Sequence, residues 1–184
     1  MKKLYFTRHG QTVWNAENKI CGVTDIELTP LGHEQAIRLG ELIKSKQLHI
    51  DEILCSPLIR AKNTAEHIAE ITGLPLREEE LLREQCFGKY EGTARNGAKF
   101  LADKGNFIHS YNGGESMLRL AQRIYNLLDE LKQDDKVYLL VAHNGISRVV
   151  QSYFHDMDNE EYAKFGIGNC DILEYEFPDR ADKL

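Results

Sequence analysis

The stretch Val137-Tyr138-Leu139-Leu140-Val141-Ala142-His143 decides the fold, because six apolar residues end abruptly at a histidine. A continuous apolar run of this length is typical of a strand that is buried on both faces of a sheet. Sheets with such strands are mostly parallel and carry helices on both sides. The stretch therefore indicates an α/β protein.

Strand and helix patterns alternate on either side of this run. Further strands are predicted at Lys3–Thr7, Asp51–Cys55 and Asp171–Phe177. Helices are predicted from Thr29-Pro30 and from Ser56-Pro57, where a capping residue precedes proline, and over Glu115–Lys132 and Ile146–Phe154. This alternation predicts a three-layer α/β/α sandwich around a mostly parallel sheet.

The chain of 184 residues fits a single domain, residues 1–184. Residues 85–114 are less regular, with scattered glycines and only a weak helical pattern near Ala98–Ala102. Because this segment stands between two core elements, we predict a short lid or insertion there.

Composition excludes some classes of partner. The 23 Lys and Arg residues are outnumbered by 29 Asp and Glu, which gives a net charge of −6. Broad binding to nucleic acid or to an anionic membrane would call for a basic excess, so neither is expected. A small anionic ligand remains possible, because a pocket can be basic inside an acidic protein.

The four cysteines are widely spaced, and the first residues do not resemble a signal peptide. We therefore expect a cytoplasmic protein with reduced thiols, as a monomer or homodimer.

Polar side chains follow three of the predicted strands. Arg8 and His9 come after the first, Ser56 and Arg60 after the second, and His143 after the apolar run. Ligands of open α/β sheets bind beyond the carboxyl ends of the strands, so neighbouring strands would bring these residues together. Arg60 also falls in the first turn of its helix, where a cation is unfavourable unless an anion binds there.

These residue types fit phosphoryl transfer. Arginines make paired contacts with phosphate, and a neutral imidazole can attack phosphorus to form a phosphohistidine. A second, protonated histidine would stabilise the charge on the transferring group. Glu84, in the irregular segment, is the best candidate to protonate the leaving oxygen. No cluster has metal-ligand spacing, so we expect chemistry without a metal or cofactor.

The stretch Thr7-Arg8-His9-Gly10-Gln11-Thr12-Val13-Trp14-Asn15 resembles the signature of the histidine phosphatase superfamily, in its phosphoglycerate-mutase-like branch. Four further pieces occur in order, and Gly114-Glu115-Ser116 also matches. The four are Gly22 to Gly32, Ser56 to Ala61, Glu84 to Gly92, and Val141-Ala142-His143. The resemblance covers the chain from about residue 4 to about residue 177.

The resemblance implies a role for each matching residue. His9 would be the phosphorylated nucleophile, surrounded by Arg8, Arg60 and His143, and Glu84 would be the acid and base. The implied phosphate and substrate contacts are Asn15, Gln11, Thr12, Cys21 and Gly22. Cys21 departs from the Ser or Thr of many relatives, and Asn144 stands where many carry glycine, so its side chain is expected near the pocket.

One reaction class is expected, and two alternatives to it are left open. The expected reaction is hydrolysis of a small phosphate monoester, because the interval from Glu84 to His143 is short and holds few cations. A cofactor-dependent phosphoglycerate mutase is the main alternative. A catalytically silent phosphate-binding regulator is the second, although the nucleophile and both arginines are present.

Overall fold

The apolar stretch after residue 137 forms the central strand of a five-stranded sheet in the computed structural model, which describes residues 2–178. The strands are β1 (Lys3–Arg8), β2 (Glu52–Cys55), β3 (Leu76–Glu78), β4 (Tyr138–Ala142) and β5 (Ile172–Glu176). Their order across the sheet is β3-β2-β4-β1-β5. β5 runs antiparallel to β1 and the other neighbours are parallel, so the predicted, mostly parallel sheet is confirmed.

Helices cover both faces of this sheet. They are α1 (Val13–Ala16), α2 (Pro30–Ser45), α3 (Ile59–Thr72), α4 (Ala98–Lys104), α5 (Met117–Gln133), α6 (Asn144–Phe154) and α7 (Asn159–Lys164). Two 3₁₀ turns lie at Glu80–Leu82 and Gly88–Tyr90. None of the helices within residues 2–178 is long and apolar enough to cross a membrane.

The alternation of side chains along β4 explains the three layers. Leu139 and Val141 pack with α2 and α3 on one face, while Tyr138, Leu140 and Ala142 pack with α5 and α6 on the other. All five residues are buried. A strand that is apolar on both faces is stable only between two helical layers, and the predicted α/β/α sandwich is confirmed.

Several helix ends follow the sequence signals, but three helix starts are displaced: α3 and α5 begin later than predicted, and α6 begins at Asn144, before the predicted Ile146. The Thr29 hydroxyl caps α2 by accepting from the Gly32 N–H at 3.1 Å, and Pro30 occupies the first turn. Gly73 ends α3 in the left-handed conformation, with φ of 76°. Ser116 caps α5, so that helix begins two residues after the predicted Glu115.

The predicted helix start at Ser56-Pro57 is wrong. Helix α3 begins at Ile59, and the residue before it, Leu58, makes no side-chain capping bond. The Ser56 hydroxyl accepts from the Leu58 N–H ahead of the helix and also lies 2.7 Å from a ring nitrogen of His143. Arg60 nevertheless remains in the first turn of α3.

The register of the parallel strands places their carboxyl ends at one edge of the sheet. Arg8 is paired with Ala142, and Cys55 with Val141. His9, Ser56 and His143 each follow one of these strands directly, so the three meet at this edge.

The predicted lid segment contributes a small aromatic cluster. Phe87, Tyr90, Phe100 and Tyr111 pack with Ile20, and their ring centroids lie 5.3–6.3 Å apart. This cluster lies apart from the two larger clusters of the sandwich. It gives residues 85–114 buried side chains of their own, beside the carboxyl edge of the sheet.

Candidate active site

A pocket opens at the carboxyl edge of the sheet. Six of the residues singled out in the sequence line it: Arg8, His9, Asn15, Cys21, Glu84 and Asn144. Arg60 and His143 are fully buried beside it. The fold therefore brings together every residue that the sequence proposed for catalysis.

His9 is held as a neutral imidazole with one free nitrogen. Its Nδ1 lies 2.7 Å from the Gly10 carbonyl oxygen, which can only accept, so Nδ1 carries the proton and donates it. Nε2 is left with a lone pair. Burial and the nearby Arg60 and Arg8 charges hold the His9 pKa well below its usual value, so the ring stays neutral at pH 7. A neutral nitrogen is the nucleophilic form.

His143 lies beside it, with the two ring centroids 5.2 Å apart. The Leu58 N–H donates to the Ser56 hydroxyl oxygen at 3.3 Å, which leaves the hydroxyl proton for His143 Nε2. His143 Nδ1 then carries the proton and has no partner within residues 2–178. A buried N–H without a partner is ready to donate to a bound anion.

The His143 ring is neutral in the free protein, whereas the sequence analysis expected a protonated second histidine. Burial and the charges of Arg60 and Arg8 hold its pKa well below the ordinary value, so the free protein has a neutral ring here. Its contribution to anion binding is therefore a hydrogen bond from Nδ1, and a positive charge arises only if a bound dianion raises that pKa.

Backbone carbonyls fix the Arg60 guanidinium. It donates to the Gly22 oxygen at 2.6 Å and to the Thr24 oxygen at 2.9 Å, while its buried Nε has no partner within the described chain. Glu91 fixes this loop in turn, since its carboxylate accepts from the Gly22 N–H at 3.0 Å and the Thr24 hydroxyl at 2.8 Å. A residue of the segment 85–114 thus positions the arginine in the first turn of α3.

Glu84 is only 4% exposed and borders the pocket. Its two carboxylate oxygens accept from the backbone N–H groups of Gln85 at 2.8 Å and Gly145 at 2.9 Å. A Cβ at Gly145 would lie 2.4 Å from the carboxylate, so only glycine permits this approach. The carboxylate is thereby held in place in the pocket that His9 also lines.

The segment 165–171, which leads into β5, holds Arg8 and His9 in place. The Arg8 side chain donates to the Ile167 carbonyl at 2.9 Å. The Asn169 amide donates to the His9 carbonyl at 2.8 Å. Local sequence patterns gave no sign of these contacts, because the partners are about 160 residues apart.

Asn144 joins this segment to helix α6. Its side-chain oxygen accepts from the Ile167 N–H at 3.1 Å. Asn144, which stands where many similar sequences carry glycine, therefore orients the backbone that binds Arg8. It also lines the pocket.

Of the other predicted substrate contacts, Asn15 faces the pocket, whereas the side chains of Thr12 and Gln11 do not. Asn15 accepts from the Thr12 N–H at 3.1 Å and leaves its side-chain NH₂ free on the pocket wall. Thr12 is buried and caps α1, and the Gln11 side-chain oxygen accepts from the Thr29 hydroxyl at 3.0 Å. These two side chains are therefore engaged away from the pocket.

Cys21 lines the pocket as a thiol, since burial raises its pKa to about 11. Gly22 acts through its backbone, because a Cβ there would lie 2.2 Å from the Glu91 carboxylate.

The sequence model of the histidine phosphatase superfamily (branch 1) matches residues 4–184. The chain belongs to this superfamily. It is 31% identical over 196 residues to a 2,3-bisphosphoglycerate-dependent phosphoglycerate mutase of Cytophaga hutchinsonii, covering 99% of this chain and 91% of that one.

Two solved phosphatases are similar in structure. A mycobacterial glucosyl-3-phosphoglycerate phosphatase complexed with VO₃ has a TM-score of 0.83 and 30% identity, over 95% of this chain and 90% of that one. A phosphoserine phosphatase of Entamoeba histolytica in complex with 3-phosphoglyceric acid has a TM-score of 0.82 and 32% identity, over 96% and 91%. The histidine phosphatase resemblance inferred from the motifs is confirmed.

Three cations of this histidine phosphatase pocket were not expected from the sequence as site residues. Arg95, Lys104 and Arg148 line it together with Phe87 and Phe100. Arg148 had a usable signal, since it lies one helical turn after Asn144 on the same face of α6. Arg95 and Lys104 had no such sequence signal, because nothing in an irregular segment indicates which side chains face the pocket.

Proposed function

We propose that this histidine phosphatase hydrolyses a small phosphate monoester through a phosphohistidine on His9. The observation that carries the proposal is the fixed, neutral His9 ring, whose protonated Nδ1 is bound to Gly10 and whose free Nε2 shares a pocket with Glu84. Arg8, Arg60 and the His143 N–H supply positive charge and donors for a phosphoryl group.

The reaction has two balanced steps. In the first, His9 Nε2 forms a bond to phosphorus, the ester P–O bond breaks, and Glu84 gives its proton to the leaving oxygen. In the second, Glu84 takes a proton from water while the water oxygen attacks phosphorus. The P–N bond then breaks, and inorganic phosphate and free His9 result.

Hydrolysis is preferred to transfer between hydroxyl groups because the interval from Glu84 to His143 is short. A mutase has to keep water away from its phosphoenzyme, and a short segment over the pocket does so poorly.

The test is hydrolysis of p-nitrophenyl phosphate in the presence of a chelator. His9→Ala is expected to lose on the order of 10⁴-fold or more in kcat/KM, because it removes the nucleophile. The exposed His49 provides the control, and His49→Ala should keep the wild-type rate. Rapid acid-free quenching and mass spectrometry should detect a phosphoryl group on His9. Equal rates for His9→Ala and wild type contradict the proposal.

A phosphoglycerate mutase is the second candidate, favoured by the extra cations of the pocket. The interval between Glu84 and His143 holds few cations, but two of them, Arg95 and Lys104, line the pocket with Arg148 from α6. The decisive measurement is interconversion of phosphoglycerates with and without a bisphosphoglycerate primer. Primer-dependent isomerisation that is faster than phosphate release identifies a mutase.

A further inference from the structure

Two histidines outside the catalytic pocket face each other across the interface of two helices. His33 lies near the start of α2 and His67 lies in α3, and His33 Nδ1 is 2.9 Å from His67 Nε2. Their ring centroids are 5.2 Å apart and the ring planes are nearly perpendicular, at 87°. Neither residue lines the pocket beside His9. The proposed hydrolysis therefore gives this pair no role.

The two imidazoles depend on each other for their polar contact. Within residues 2–178, the bond between His33 and His67 is the one side-chain hydrogen bond that either ring makes. The histidine that lies beside a carboxylate in this part of the chain is instead His49, at 3.7 Å from Asp51. Only one proton can lie between the two facing nitrogens, so at least one of them presents a lone pair to the other. Both residues are half-buried, so solvent can reach the pair.

The separation of the facing nitrogens matches that of two ligands on one metal ion. Metal–nitrogen bonds of about 2.0–2.1 Å that meet at a right angle hold their nitrogens about 2.9 Å apart. Right angles between neighbouring ligands are typical of square-planar and octahedral ions such as Cu²⁺ and Ni²⁺. Tetrahedral Zn²⁺ requires a separation of about 3.3 Å, so the rings would have to move apart to bind it.

The helices that carry the pair are packed tightly against each other and against the loop after β1. At Gly40 of α2, a Cβ would lie 2.9 Å from Cδ1 of Ile71 in α3. The Gly10 N–H donates to the Thr64 hydroxyl of α3 at 3.0 Å, and a Cβ at Gly10 would lie 2.3 Å from the Gly32 carbonyl oxygen of α2. The two imidazoles are therefore held at a fixed separation, and little freedom is lost when an ion binds between them.

We propose that His33 and His67 bind one divalent transition-metal ion that bridges α2 and α3. Each facing nitrogen gives its lone pair to the metal, and the ring proton that lay between them moves to the outer nitrogen of its own ring. Residues 2–178 contain no group of three or more His, Cys, Asp and Glu side chains arranged as a metal site, so water completes the coordination. The site is structural and does not depend on the reaction proposed at His9.

Calorimetric titration with Ni²⁺, after dialysis against a chelator and then into chelator-free buffer, tests the site. Wild type should bind one Ni²⁺ at least tenfold more tightly than His33→Gln or His67→Gln, because each substitution leaves a single imidazole. Glutamine keeps a hydrogen-bonding side chain at the helix interface. His49→Gln is the matched control and should keep the wild-type affinity, since His49 has a carboxylate beside it and no second histidine.

Thermal unfolding separates a bridging ion from an ion held by one side chain. The two ligands are 34 residues apart in the sequence, so the unfolded chain does not hold them together and the ion stabilises the folded state. At ten times its dissociation constant, Ni²⁺ should raise the midpoint of thermal unfolding of wild type by about 3–6 °C. In either glutamine variant at the same Ni²⁺ concentration, the rise should be less than half as large.

Two results overturn the proposal. One is wild-type affinity for Ni²⁺ in either glutamine variant, and the other is a wild-type midpoint that Ni²⁺ leaves unchanged. If a glutamine variant does not fold, nuclear magnetic resonance of the imidazole groups in wild type provides the test. Paramagnetic Ni²⁺ should broaden the His33 and His67 signals at lower concentration than the His49 signal, and the reverse order contradicts the site.

Discussion

The two sides of the pocket are built in different ways. On the strand side, Arg8, His9 and His143 follow parallel strands whose register fixes them relative to one another. On the lid side, Arg95 and Lys104 belong to a segment whose buried side chains form a separate aromatic cluster. A sheet can position reacting atoms closely, and loops on a rigid scaffold can vary without disturbing it. The difference suggests that chemistry resides in the strand side and substrate choice in the lid side.

Replacement of Glu84 should have the largest effect and tests the chemical side. Glu84→Gln keeps the shape but cannot exchange the proton, so hydrolysis of alkyl phosphates should fall by about 10²–10⁴-fold. Nitrophenyl phosphate, whose leaving group needs no proton, should be slowed much less in the first step. The measurement is the ratio of kcat/KM for the two esters. An equal loss for both would show that Glu84 is not the acid.

Replacement of Glu91 should have an intermediate effect and tests whether the two sides are independent. Glu91 lies in the lid segment, yet it binds the loop that holds Arg60, so Glu91→Ala should lower kcat/KM by about tenfold to a hundredfold. Glu91→Gln retains one acceptor oxygen and should recover part of the loss.

The readout that separates positioning from stability is the affinity for inorganic phosphate. If Arg60 loses its orientation, inorganic phosphate should inhibit hydrolysis less strongly. This should hold even at temperatures far below the midpoint of thermal unfolding. If Glu91→Ala lowers only the thermal midpoint and leaves inhibition by phosphate unchanged, Glu91 has a structural role alone.

Acidification should have the smallest effect, and it acts on the strand side. His9 and His143 have folded-state pKa values below the unfolded value of about 6.5, so below that pH the unfolded chain binds protons that the folded protein does not. The free energy of unfolding should therefore be greatest above pH 6.5. It should fall by roughly 1.4 kcal/mol per pH unit for each histidine below it.

Urea unfolding between pH 7.5 and pH 5 measures this slope. His143→Gln should show a slope smaller by about one proton, whereas His49→Ala, at an exposed position, should match wild type. Identical slopes for all three proteins would contradict the burial of a neutral His143.

The sheet and the strand side of the site were predictable because local rules govern them. Apolar runs predicted β1, β2 and β4, and the rule that ligands bind beyond parallel strands brought His9 and His143 together. The same rules erred at Ser56, where a capping residue before proline did not start a helix. The Ser56 hydroxyl is bound to His143 instead, a tertiary contact that local sequence does not reveal.

Among the short elements that escaped prediction, β3 and α7 did so for different reasons. β3 is a three-residue edge strand with Arg77 and Glu78 exposed, so it has no apolar pattern. α7 did carry a signal, because Asp158 and Glu161 have the spacing of a capping box and form both of its bonds. The lid cations carried none, since their direction depends on how the aromatic cluster packs.

The contacts made by the segment 165–171 have a consequence for folding. His9 lies near the start of the sequence, but the groups that hold Arg8 and His9 are the Ile167 carbonyl and the Asn169 side-chain amide. These contacts span nearly the whole sequence, and contacts of such separation close late and slowly. During synthesis, helices can pack on the sheet before the site around His9 forms. Catalytic competence should then appear abruptly, when β5 adds to the edge of β1.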